Sequence, residues 1–105
     1  MLETEIAKIE PQKEKLIRFE LGETVATPGA LEKLEKANVS PLRLLGRHQL
    51  GDWGDLCQDD RQENELSLKE GFRLLSVYKL ETGAKIWVIT EADRSVTTLL
   101  LPEEY

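Results

Sequence analysis

Cysteine and histidine are nearly missing from this chain: one of each occurs in 105 residues, with four prolines and only 6% aromatics. One cysteine excludes an internal disulfide, and one cysteine with one histidine cannot build a zinc cage. No apolar run approaches the roughly 20 residues that span a bilayer. The opening MLETEIAKIE lacks the apolar run of a signal peptide. A cytoplasmic protein without membrane attachment is therefore expected. Basic charge is also short. The formal net charge is -6, so the whole-molecule field does not favour non-specific binding to nucleic acid. No catalytic motif of high specificity occurs, and no cofactor is expected.

What is present describes a globular domain. Hydrophobic residues make up 40% of the chain and charged residues 32%, a balance that separates it from disordered sequences. At this length one domain is expected, burying roughly 65% of the surface its unfolded form exposes. The acids are unevenly spread. Asp52, Asp55, Asp59, Asp60, Glu63 and Glu65 are opposed only by Arg61, and Glu103 and Glu104 add charge at the C-terminus. The thinner basic set includes Arg43, Arg47, Arg73, Lys79, Lys85 and Arg94. A basic face survives only if the fold separates these from the acids.

Residues 1–14 read as an amphipathic extension, with Leu2, Ile6 and Ile9 at near-helical spacing until Pro11 interrupts them. Packing back, self-association with a second copy, and fraying are all open to such a segment. Residues 15–105 read as the domain proper. Lys15 to Leu21 alternates as a strand and turns at Gly22 and Glu23. Thr27-Pro28 and Ser40-Pro41 each pair an N-cap residue with a proline suited to the first helical position. Asn38 is a natural stop for the first of these helices. Asp60-x-x-Glu63 resembles a capping box for a third, running to about Glu70, with Gly71 beyond its end. Three strand-like runs follow: Phe72 to Leu80, Lys85 to Thr90 and Val96 to Leu101. The expected fold is a two-layer α+β domain, two or three helices on one face of a four-stranded antiparallel sheet, in the order β-α-α-(α)-β-β-β.

The richest stretch for chemistry is RHQLGDWGDL, Arg47 to Leu56. Imidazole alone titrates near neutral pH without help, so His48 is the candidate general acid or base. It is equally suited to packing at a helix C-terminus. In the Gly51–Asp55 turn, Trp53 is placed to stack on a base or sugar and Asp52 to orient His48. The same residues also suit a tight turn with a buried anchor. Asp52, Asp55, Asp59 and Asp60 do not fit a calcium-loop spacing, so no metal is expected. A second candidate is Thr90 to Thr98, where Arg94 with Ser95, Thr97 and Thr98 offers donors for a phosphate. Ser76 and Tyr78 share one strand face and are placed to join His48. Cys57 reads as a small buried residue, because a nucleophilic role requires His48 as its base.

From about Phe19 to Tyr105, including VATPGALE, RHQLGDWGDL and KIWVITEADRSVTTLLLPEEY, the chain resembles a group of small bacterial proteins carried on plasmids and other mobile elements. Some of these bear labels such as plasmid-related protein or restriction-system subunit. By order of elements alone, the chain is also similar to the barnase/EndoU/colicin/RelE-type ribonuclease fold. That resemblance implies metal-independent RNA cleavage. His48 would act as base or acid, Arg94 would stabilise charge on the phosphate, and Ser76, Tyr78 and Thr98 would complete the sheet-face site. The competing class is a non-enzymatic acidic binding protein. Its surface from Asp52 to Glu65 would mimic phosphates and occupy a basic groove on a host defence or nucleic-acid-handling protein. A third is an accessory partner docking through residues 1–14.

Overall fold

A computed structural model of the chain describes residues 17–105. The amphipathic extension expected at residues 1–14, with any self-association through it, lies outside that range. The domain is α+β, built from strand β1 (Glu23–Ala26), helices α1 (Pro28–Ala37), α2 (Pro41–Gln49) and α3 (Gln58–Glu70), then strands β2 (Leu74–Lys79), β3 (Lys85–Thr90) and β4 (Val96–Leu100). A short 3-10 turn, Pro102–Glu104, closes it.

The two proline-led helices begin as their caps dictate. Thr27 Oγ1 accepts from the Ala30 amide at 3.0 Å, and Ser40 Oγ accepts from the Leu42 amide at 3.2 Å. Each satisfies an amide that no helical carbonyl can reach. Asn38 ends α1 in the left-handed region, at φ 58°. The third helix starts differently from expectation. It opens at Gln58 with Cys57 in the N-cap position and no side-chain cap, so Asp59 and Asp60 lie inside the first turn. There the helix dipole favours acids without a capping box. Cys57 is exposed rather than buried.

The sheet order is β1-β4-β3-β2, and it is mixed, not antiparallel throughout. β2, β3 and β4 form the expected meander, whereas β1 runs parallel to β4 with Glu23 opposite Val96 and Ala26 opposite Leu99. The strand expected to end at Leu21 is also displaced. Residues 17–21 form no strand; instead the Arg18 amide donates to the Gln49 carbonyl at 2.9 Å and Gln49 Nε2 donates to the Phe19 carbonyl at 3.0 Å. Those bonds hold this segment against the end of α2, leaving the ladder to begin at the Glu23 amide, bonded to Ser95 O at 2.9 Å. At the other end of the sequence, β2 begins at Leu74, and Phe72 is exposed before it.

The core lies between the helices and one sheet face. Ala30 and Leu34 of α1 and Leu44 and Leu45 of α2 pack on Tyr78, Ile86, Val88 and Leu99. A smaller cluster joins Phe19, Trp53 and Leu74. Among the described residues, no helix is long and apolar enough to cross a membrane.

Candidate functional site

His48 stands near the C-terminal end of α2, on its buried side, with no solvent exposure. Its Nδ1 is 2.6 Å from Ser76 Oγ on β2, and its Nε2 is 2.9 Å from Thr90 Oγ1 on β3. Thr90 Oγ1 lies 2.7 Å from Thr97 Oγ1 on β4, and Thr97 donates to the Leu21 carbonyl at 2.7 Å. One proton per hydroxyl orders the whole chain. Thr97 spends its proton on Leu21 O, so Thr90 must donate to Thr97. The proton on the imidazole therefore sits on Nε2 and goes to Thr90, leaving Nδ1 to accept from Ser76. Four side chains from four elements thus form one directed series ending on a backbone carbonyl. No buried side-chain nitrogen or oxygen among the described residues is left without a partner.

An aromatic cover closes this series. The Phe19 and Trp53 rings meet His48 edge-on, at 5.1 and 5.7 Å between centroids, and stack on each other at 6.1 Å. Burial disfavours the imidazolium, and the Arg94 charge repels it, so the His48 pKa falls from 6.5 to about 4. At neutral pH His48 is an uncharged packing and hydrogen-bonding residue.

The remaining expected site residues are put to other uses. Arg94, in the left-handed region at φ 61°, donates to the carbonyls of Phe72, Glu91 and Ala92 through Nη1 and of Ser67 through Nη2. Its guanidinium ties the end of α3 to the β3–β4 turn instead of holding a phosphate with Ser95. Ser95 is engaged in that turn, its amide donating to Asp93 Oδ1 at 3.0 Å. Thr98 lies on the opposite sheet face from Thr97. Tyr78 is buried, its hydroxyl donating to the Asp52 carbonyl at 2.6 Å. Burial pushes its pKa up to about 12.

Asp52 does not orient His48. Its Oδ2 accepts from Arg47 Nε at 2.7 Å and its Oδ1 from the Gly54 amide at 3.2 Å. The Arg47 hydrogen bond holds the Asp52 carboxyl below the usual carboxylate range. Trp53 is buried, and its Nε1 donates to Glu65 at 3.0 Å, so its ring is not presented to a base. Thr90 and Phe19 are members of the cluster that the sequence did not single out, and Thr97, expected as a phosphate donor, joins it as a buried hydroxyl instead. In VTTLL nothing local says which threonine faces inward; pairing of Thr90 with Thr97 across β3 and β4 decides it.

The acidic stretch is divided: Asp52 and Glu65 pair with Arg47 and Arg18, Asp55 accepts from the Lys79 amide, and Asp59, Asp60 and Glu63 remain on α3. Helix α3 is the longest helix among the described residues, yet its only buried residue is Asn64. That side chain bonds both the amide and the carbonyl of Leu75, sealing the outer edge of β2. Asp59, Asp60 and Glu63 are exposed and, among the described residues, form no ion pair. Among the described residues, no three His, Cys, Asp or Glu side chains group as a metal site would require. No protein-family model, no curated protein and no solved structure matches this chain.

Proposed function

We propose that this is a non-catalytic binding protein of the bacterial mobile-element kind it resembles, and that the acidic face of α3 docks on a basic host defence or nucleic-acid-handling protein. The observation that carries the reading is the burial of His48 with both ring nitrogens engaged. Acid–base cleavage of RNA requires a group within hydrogen-bond reach of substrate, and this imidazole is separated from solvent by Phe19 and Trp53. A 13-residue helix that contributes one buried side chain to its own domain leaves most of its surface for a partner. Asp59, Asp60 and Glu63 give that surface the charge to meet Lys and Arg.

Two measurements test the reading. Affinity capture from bacterial lysate compares wild type, Asp59→Lys/Asp60→Lys/Glu63→Lys, and a control carrying Glu32→Lys and Glu35→Lys on α1. A basic protein retained by wild type and control, lost with the α3 variant and released by high salt, is expected. Equal retention by all three removes α3 from the function. In parallel, labelled RNA is expected to stay intact with purified protein. Cleavage that survives EDTA and disappears in His48→Ala would replace this reading with a metal-independent ribonuclease.

A further inference from the structure

A second feature lies away from α3 and does not rest on its acids. An open cleft of about 440 Å³ is bounded by the α1–α2 connection at Asn38 and Val39, by α2, and by the end of β2. Arg43 and Arg47, four residues apart on α2, and Lys79 of β2 converge on it. Glu81 is the acid on its rim. Gathering three cations around one concavity runs against the composition, since the chain carries 14 basic and 20 acidic residues. Among the described residues the side-chain nitrogens of Arg43 and Lys79 have no hydrogen-bond or ion-pair partner.

Arg47 is held differently. Its Nε is fixed on Asp52 Oδ2 at 2.7 Å, and its guanidinium carbon sits 4.5 Å from the centroid of the Tyr78 ring. The plane is therefore set from two directions while 43% of the side chain remains exposed. A guanidinium plane fixed in this way is a stacking platform for a heteroaromatic base. Leu44 and Leu80 supply an apolar floor beside it. The volume lies within the range of small-molecule sites, roughly 300–1,000 Å³.

We propose that this cleft binds a free nucleoside monophosphate, its base stacked on the exposed face of Arg47 and its phosphate held by Arg43 and Lys79. Arg43 supplies a planar fork of N–H donors and Lys79 a compact ammonium, which together suit a terminal phosphate. Arg47 is committed to Asp52 through Nε, so its role is the platform.

The test is titration of the full chain with AMP, GMP, CMP and UMP, followed by calorimetry and by amide chemical shifts. Shifts centred on residues 37–47 and 78–81 are expected for at least one monophosphate. Arg43→Ala/Lys79→Ala, both at exposed positions, is expected to weaken binding about tenfold or more, as loss of charge-assisted hydrogen bonds implies. The matching nucleoside without phosphate should bind weakly, and inorganic phosphate alone should do likewise. Three outcomes overturn the assignment: no shifts with any monophosphate at millimolar concentration, binding unchanged in the double variant, or inorganic phosphate binding as well as the nucleotide. A 5′-phosphorylated trinucleotide that binds more tightly than the monophosphate overturns the choice of a free nucleotide. None of these outcomes bears on the acids of α3, so this cleft and that surface stand or fall separately.

Discussion

His48 gives acid stability one component that belongs to a single residue. Its folded pKa of about 4 lies below the ordinary 6.5, so between those values the unfolded chain binds a proton that the folded chain refuses. Its contribution is complete above pH 6.5 and is lost as pH falls toward 4, by at most about 1.4 kcal/mol per pH unit. Urea midpoints measured from pH 7.5 to pH 4.5 should fall over that window. A flat profile would mean that His48 is accessible in the native state. Asp52 and Glu65, lowered by their hydrogen bonds to Arg47 and Arg18, lose their contribution only on further acidification. The hydroxyl series yields a second expectation. Thr97→Val keeps the shape but leaves the Thr90 hydroxyl without an acceptor and Leu21 O without a donor, a cost of about 1–3 kcal/mol. Thr98→Val, on the other sheet face, should stay within about 0.5 kcal/mol. Equal losses in denaturant unfolding would contradict the engagement of the Thr97 hydroxyl in the series. The tryptophan and the lone histidine stood out in the sequence as a pair. A buried Trp53 anchoring the turn was one of the readings the sequence offered; the burial of His48 was left open, because a helix-end histidine suits solvent and core alike.

At the level of elements, the Gly51–Asp55 turn works as a short closing strand. The Asp55 amide donates to Val77 O at 2.7 Å and the Val77 amide to Trp53 O at 3.1 Å, while the Lys79 amide donates to Asp55 Oδ2 at 3.0 Å. Together with Asn64 on Leu75, these bonds occupy the outer side of β2 at three alternate residues, the protection an edge strand needs against foreign pairing. Gly54 is what lets the turn come this close. At φ +78° a Cβ there would meet Val77 O at 2.0 Å, whereas at Gly71, φ +81°, it would meet nothing. Gly71→Ala should therefore cost about 1–2 kcal/mol, the left-handed penalty alone. Gly54→Ala should cost at least about 2 kcal/mol more, because backbone must move. Thermal or urea unfolding of the two variants measures the difference. Equal costs would show the turn to be loosely held. The starts of α1 and α2 were legible because each cap is a matter of three adjacent residues. The start of α3 was not, because Cys57 brings no side-chain acceptor to its N-cap.

At the scale of the whole molecule, α3 carries Asp59, Asp60 and Glu63 and is tied to β2 through Asn64, while Arg43, Arg47 and Lys79 gather where α2 meets the end of β2. The C-terminal segment is drawn in as well. Glu104 accepts from Thr27 Oγ1 at 2.7 Å and from the Leu101 amide at 2.8 Å, placing a carboxylate at the start of α1. By itself the sequence determined the two proline-led helices and the three-stranded meander, and left a third helix optional, since caps, glycine stops and two-residue alternation act over a few neighbouring residues. Only the tertiary structure decided that β1 joins β4 in parallel, which threonine of VTTLL turns inward, and that His48 is spent on hydroxyls 28 and 42 positions away. Those outcomes depend on which distant elements pack together. A buried polar group must take whatever partner that packing brings within reach, and no local pattern encodes the choice.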